Sequence, residues 1–329
     1  MKREYVVIVD SMADFNIGYS DPDLVIVETP VYVGDFDYTN ASPNDFYEKQ
    51  RQVFELNVTN KERPKIQIRT STPNPHRIEE EMKKILQRGK DAIYVSTASS
   101  LTAAFTSGMS AVDIIHEEFP MNGHRAIVID GLSMSALTSI LVTAAMDQCE
   151  TTDSFLSFIF NRRNDTEHFF AINDWEAFKN SGRISKNTLL IAKMTGIKPL
   201  MRFDYNEHVE RVAFCEKKNR SFRILMEYAA RRMVDTIDPM FPTCTIIHAD
   251  NFAGAEMLYN AVKAVIPDSI KVDYDPQYGR MGPATGVHLG FSAVGLGFIR
   301  KKNLYPNAEM HRKTQDPTES IYGAEDYDD

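Results

Sequence analysis

One histidine and several groups of hydroxyl and carboxyl side chains carry most of the chemistry available to this sequence. His288 stands in Gly282-Pro283-Ala284-Thr285-Gly286-Val287-His288-Leu289-Gly290. It is the one ionisable side chain among the seventeen residues between Arg280 and Phe298. The other groups are Asp10-Ser11, Thr70-Ser71-Thr72, Thr97-Ala98-Ser99-Ser100 and Asp130-Gly131-Leu132-Ser133. Imidazole and clustered hydroxyls are donors for an anionic head group, and charge-assisted hydrogen bonds are the stronger kind. The same residue types admit a hydrolase triad drawn from Asp10-Ser11, Ser99 and His288. Against the triad, the chain has no Gly-x-Ser-x-Gly elbow, and hydroxyls in clusters suit a head group better than one activated nucleophile. Residues 290–297 have neither the ending nor the spacing of a phosphate loop. The plainest alternative for His288 is a core histidine with one satisfied hydrogen bond beside a turn.

The elements that must position these residues are legible as alternating apolar runs and polar switches. Tyr5-Val6-Val7-Ile8-Val9 is β-branched from Val6 on and predicts a buried parallel strand ending at Asp10-Ser11, the strand end at which open α/β sheets hold ligands. Leu24 to Val27, Asp91 to Val95 and Arg125 to Ile129 predict three more strands. Ser42-Pro43 marks the start of a helix over 40–50, and 51–68 reads as a variable loop or an extension of it. Asn74 caps a helix with Pro75 in its first turn, an apolar stripe at Ile78, Met82, Ile85 and Leu86, and a stop at Gly89. Helices also follow the third and fourth strands, from Ala103 to Glu117 and up to about Asp147. Repeated strand, switch and helix predict a Rossmann-like parallel-sheet domain over 1–160 with helices on both faces.

The second half has a different texture. Residues 174–185 predict a short helix, a glycine stop and an exposed turn at Arg183. Short strands are expected at 196–201, 209–214 and 244–248, and helices at 219–235 and 253–265. Strands without regular crossover helices predict an α+β domain over 161–302 with a mixed or antiparallel sheet. Near its end, Gly282 to Gly297 reads as a buried strand running into a tight turn, its glycines free to take positive φ. Residues 303–329 carry seven acidic and two basic residues, a net −5, and are expected to be a flexible tail.

The bulk numbers exclude several classes. The 329 residues are 43% hydrophobic and 25% charged, which suits a two-domain globular protein. A net charge of −9 argues against nucleic-acid or anionic-membrane partners. Cys149, Cys215 and Cys244 are few, scattered and without a CxxC, so reduced thiols, no zinc site and no disulfide frame are expected. Met1 to Glu4 leads into only five apolar residues, Tyr5 to Val9, before Asp10, too few for a secretory signal, and no apolar run reaches a membrane span. A cytoplasmic monomer is the expectation.

Taken in order, the motifs resemble those of the DegV family, bacterial proteins that bind a single fatty acid. Val9-Asp10-Ser11 stands for the family's Thr-Asp-Ser, and Thr70-Ser71-Thr72-Pro73 for its Thr-Ser-Gln-Pro. Val128-Ile129-Asp130-Gly131 is similar to Val-Ile-Asp-Ser, and Lys179-Asn180-Ser181-Gly182-Arg183-Ile184-Ser185 to Lys-Lys-Gly-Gly-Arg-Ile-Ser. Gly196-Ile197-Lys198-Pro199 resembles Asn-Ile-Lys-Pro, and Gly286-Val287-His288-Leu289-Gly290 resembles Gly-Thr-His-Thr-Gly. Two motifs depart. The family's Ser-Ser-x-Leu-Ser-Gly-Thr is here Ala98-Ser99-Ser100-Leu101-Thr102-Ala103-Ala104, and its Gly-Pro-Gly is Gly290-Phe291-Ser292.

The resemblance implies a buried lipid between the two domains and no other cofactor. It puts the lipid carboxylate at Thr70, Ser71, Ser99 and His288, with Asp10, Ser11, Thr97, Ser100, Asp130 and Gly290 supporting the pocket. Arg183 would border the entrance and face a fatty acid kinase. Burying roughly fourteen methylenes at about 0.8 kcal/mol each gives on the order of 11 kcal/mol before binding costs. The acyl chain would therefore supply affinity and the polar groups orientation. Met82, Phe105, Met109, Leu132 and Met134 are candidates for the tunnel wall, with plain core the alternative for each. A lipid-free regulatory protein on the same fold is the remaining reading.

Overall fold

The computed structural model describes residues 3–16, 18–59, 64–172, 195–205, 211–302 and 321–322. β-Branched runs form the centre of the first sheet: β1 (Tyr5–Asp10), β2 (Leu24–Val27), β6 (Asp91–Ser96) and β7 (Ala126–Asp130). They pair in parallel in the order β7-β6-β1-β2. The central strands β1 and β6 are buried along their whole length because helices cover both faces. On one face α2 (Pro75–Gln87) and α3 (Ala104–Glu118) pack on Val6, Ile8, Tyr94 and Val128. On the other, α4 (Ala136–Gln148) and α5 (Thr152–Arg162) pack on Tyr5, Val7, Ile93 and Ile127.

A second sheet has the order β10-β9-β8-β13-β11-β12. It is built from β8 (Thr166–Ile172), β9 (Lys198–Tyr205), β10 (Arg211–Asn219), β11 (Thr243–His248), β12 (Lys271–Asp273) and β13 (Ala293–Ile299). Every pairing is antiparallel except β11 with β12. Period-two alternation sorts its two faces. Phe169, Ala171, Val294, Leu296 and Phe298 face α6 (Phe222–Thr236) and α7 (Phe252–Lys263). Phe170, Ile172 and Ala293 face back toward the first sheet, into a junction core shared with Met12, Met134, Leu137 and Met281. Helix α4 therefore lies between the two sheets. Gly297 lets it come close, since a Cβ there would lie 3.0 Å from Ile140 Cδ1 and 3.3 Å from Ala136 Cβ.

The parallel-sheet and mixed-sheet halves agree with the sequence reading, and the details differ in places; α5 and β8 fall in a stretch where no element was expected. The helix α1 (Pro43–Thr59) runs nine residues past the expected end at 50, so the charged stretch after 50 begins as helix extension. A small antiparallel sheet, β4-β3-β5, was not anticipated; it comprises β3 (Val31–Val33), β4 (Phe36–Asp37) and β5 (Ile68–Thr70). The stretch read as a strand before a turn is a helix, α8 (Pro283–Leu289), and the supposed turn glycines Gly295 and Gly297 lie within strand β13. Proline at the first helical position and a positive-φ glycine just past the last explain α8, a start-and-stop pair that outweighs the short apolar run. Within the expected tail, β14 (Ile321–Tyr322) pairs antiparallel with β7. The expected helix and turn at 174–185, Arg183 included, lie outside the described residues.

Candidate functional site

The site forms where the carboxyl ends of β1, β6 and β7 meet the second half of the chain. The strand β1 is followed by β2 on one side, while β6 adds on its other side, so the strand order, though not the strand direction, reverses between β1 and β6. Such a switch point leaves a crevice above the strand ends. Asp10 closes its floor. Its carboxylate accepts from Thr97 Oγ1 at 2.7 Å, Thr97 N at 2.8 Å, Met12 N at 3.1 Å and Tyr94 Oη at 3.2 Å. Burial pushes the Asp10 carboxyl up, opposed by the Thr97, Met12 and Tyr94 hydrogen bonds. Asp10 and Thr97 thus hold β1 to β6 by a buried clamp.

Asp130 does the corresponding job at the end of β7. It accepts from the Ser99 hydroxyl, from Ser99 N at 3.1 Å and from Leu132 N at 3.1 Å. Leu132 takes φ 49°, a turn held in part by that bond. Ser99 is exposed, and in this arrangement its proton is directed at Asp130. Ser100 is exposed beside it. Ser11 Oγ accepts from Thr29 N at 3.0 Å, which fixes the approach to β3.

Thr70 ends β5, pairs in register with Val31 of β3, and is half-buried. The next residue, Ser71, is exposed and donates its N–H to Pro30 O at 2.9 Å. Asn74 then accepts from His76 N at 3.0 Å and opens α2, so the hydroxyl run is pinned at both ends. Opposite it, Thr70 Oγ1 lies 3.0 Å from His288 Nε2. The structure therefore brings Thr70 and His288 into direct contact, and pairs Ser99 with Asp130 and Thr97 with Asp10.

Helix α8, which carries His288, belongs to the second half of the sequence but is seated on the first. Tyr47 Oη donates to Met281 O at 3.0 Å and Gln50 Nε2 to Gly286 O at 2.8 Å. A Cβ at Gly286 would lie 2.6 Å from Tyr47 Oη and 2.8 Å from Phe46 Cε1, so only glycine allows α1 and α8 to approach this closely. Gly290 ends the helix with φ 74° and ψ 171°, a conformation close to glycine-only. Val287 and Leu289, on either side of His288, belong to the junction core with Met12, Met134, Met201 and Met281. Of the candidate wall residues, Met134 lies in that core, Leu132 is buried, and Met82, Phe105 and Met109 pack beneath α2 and α3 instead.

Four contributors had no signal in the sequence. Gln50 and Tyr47 lie on an α1 face that looks like ordinary helix surface. Arg280 pairs with Asp250 at 2.5 Å, hydrogen-bonds Asn44 and lies over the rings of Tyr47 and Phe252. Asp14 Oδ1 accepts from Gly282 N at 2.8 Å and Oδ2 from Ser135 Oγ at 2.7 Å. Among the described residues no group of histidine, cysteine and carboxylate side chains is arranged to hold a metal ion. Among them, too, no helix is long and apolar enough to cross a membrane.

Comparison with known proteins supplies the relatives. The family model of the DegV proteins matches residues 4–301. A DegV domain-containing protein of Clostridium perfringens is 22% identical over 307 residues, covering 90% of this chain and 98% of its own. Among solved structures, a DegV-family protein of Ruminococcus gnavus described with vaccenic acid has 15% identity and a TM-score of 0.71, covering 90% of this chain and all of the other. A fatty acid binding DegV family protein of Streptococcus agalactiae has 21% identity and a TM-score of 0.65, covering 92% of this chain and all of its own.

Proposed function

This chain belongs to the DegV family, and on that premise we propose that it binds one long-chain fatty acid at the junction of its two sheets, with the carboxylate at Thr70 and His288. The observation that carries the reading is the 3.0 Å contact of Thr70, at the end of β5, with His288, on a helix whose neighbouring residues join a methionine-rich apolar junction. Methionine side chains are unbranched and adaptable, a suitable wall for a flexible acyl chain. Relatives from Ruminococcus gnavus and Eubacterium eligens, described with vaccenic and heptadecanoic acid, support the ligand class.

The hydrogen-bond directions refine the head-group set. When His288 Nε2 carries the proton, it donates to Thr70 Oγ1 and leaves the threonine proton for a lipid carboxylate. Ser99 must turn its hydroxyl away from Asp130 before it can do the same. In this reading Thr70 and His288 are the primary holders, Ser71 and Ser99 are secondary, and Asp10, Ser11, Thr97, Ser100, Asp130 and Gly290 shape the crevice. Presentation of the carboxyl group to a fatty acid kinase, with Arg183 at the entrance, is the second part of the proposal. It rests on the resemblance of the segment 179–185.

The hydrolase reading has less behind it. Asp10 is engaged by Thr97, Tyr94 and Met12, the Ser99 hydroxyl by Asp130, and His288 by Thr70, so the three triad members are each turned to another partner. The test is His288→Ala, measured for both lipid affinity and ester hydrolysis. Loss of one head-group hydrogen bond should weaken lipid binding by on the order of 1.5–3 kcal/mol while burial of the chain is retained. Full lipid affinity in that variant, or an esterase activity abolished by it, would contradict the proposal.

A further inference from the structure

Helix α8 lacks a cap of its own. Gly282 occupies the N-cap position with extended backbone (φ −69°, ψ 169°) and has no side chain to accept from the first turn. In a capping box, a carboxylate at the third helical position reaches back to the N-cap N–H. That position here is Thr285, which has no carboxylate. Asp14, 268 residues away in sequence, takes the role instead, accepting Gly282 N–H at 2.8 Å.

The carboxylate is held from its other side as well. Ser135 Oγ donates to Asp14 Oδ2 at 2.7 Å. Ser135 has φ 57° and ψ −141°, a conformation that an L residue keeps only when its surroundings impose it, and its N–H donates to Met12 O at 2.7 Å. Asp14 itself is left-handed, at φ 45° and ψ 54°. Three segments thus meet at one buried carboxyl group: the turn after β1, the strained entry to α4, and the start of α8. The fit is close, since a Cβ at Gly282 would lie 3.3 Å from Asp14 Oδ1.

We infer that Asp14 is a positioning residue for His288, capping α8 from the opposite half of the molecule so that the imidazole stays opposite Thr70. The helix has seven residues, and His288 is the sixth, so a loosened first turn has little helix left over which to be corrected. The inference rests on the reading of His288 as a head-group residue. Burial raises the Asp14 carboxyl to about 7, against the hydrogen bonds from Ser135 and Gly282 and with the nearby Asp10 adding to the rise. Tyr47, on α1, also faces it. A carboxyl group kept in so unfavourable a setting is consistent with a specific task.

The experiment compares Asp14→Ala and Asp14→Asn with the parent by two measurements on lipid-stripped protein, below the melting temperature of each. The first is the 15N shifts of the His288 ring; the second is affinity for cis-parinaric acid. Asp14→Ala should move the ring signals and weaken the probe about tenfold, a change of about 1.4 kcal/mol. Asp14→Asn, which keeps an acceptor for Gly282 N–H, should restore both to near the parent. A folded Asp14→Ala with parent-like ring signals and affinity, and only a lower melting temperature, overturns the inference. Should that variant fail to fold, Asp14→Ser, whose side chain is too short to span the gap, is held to the same two outcomes. A parent that takes up no probe overturns the lipid reading, while the ring signals still decide the positioning.

Discussion

A threonine hydroxyl 3.0 Å from an imidazole nitrogen can run its hydrogen bond in either direction, and the direction decides what the pair can hold. With the proton on Nε2 the pair has a free O–H for an anion; with it on the threonine the pair is closed on itself. Residue types drew attention to His288, a lone ionisable side chain in a glycine frame, and to the hydroxyl run Thr70-Ser71-Thr72 before two prolines, but left a core histidine and a plain helix start open; the head-group role comes from the family resemblance. Asp14 was not legible, since an aspartate in a loop looks the same whether it faces water or caps a distant helix. Its environment makes a prediction about pH. The folded state keeps the Asp14 proton up to about 7, whereas an unfolded chain releases it near about 3.9. Between those limits the folded protein binds more protons, so stability is present at the acid end and is lost as pH rises through them. Asp14→Asn removes that loss. Its melting temperature should therefore gain on the parent from about pH 4 to about pH 7 and stay parallel above, as scanning calorimetry across that range would register. A constant gap would mean that the carboxyl group is not held protonated.

At the scale of elements, apolar runs closed by polar residues identified the four parallel strands, and periodicity identified the helices α2 and α6, which are long enough to repeat their pattern. It failed on α8, which has seven residues and too few turns to show a period. There the informative signals were Pro283 and Gly290, the residues that begin and end it. The small β4-β3-β5 sheet was missed for the same reason, its strands being two or three residues long. The α1–α8 contact makes a prediction that runs against helix propensity. In an ordinary helix, replacing glycine by alanine gains about 0.5–1 kcal/mol. Gly286→Ala should instead destabilise by roughly 1–3 kcal/mol, because the added methyl meets Tyr47 and Phe46 in a filled core. Tyr47 cannot easily withdraw, as its hydroxyl is bonded to Met281 O. Chemical denaturation of the two proteins would decide it, and a variant more stable than the parent would contradict the packing described for α8.

In the molecule as a whole, the two sheets share α4, and the chain returns α8 from its second half to sit on its first. The site therefore depends on residues from Asp10 to Gly290 that only the complete fold assembles. Composition and strand pattern made the two kinds of sheet legible. The crossing of α8 was not, since nothing in a local window records which distant surface a short helix will meet. The central claim is that this junction holds a single fatty acid, and native mass spectrometry of protein purified from bacterial cells tests it most directly. The account predicts one adduct per chain with the mass of a long-chain fatty acid, released on denaturation. Protein that flies only at its sequence mass, and gains no adduct after incubation with fatty acid, would contradict it.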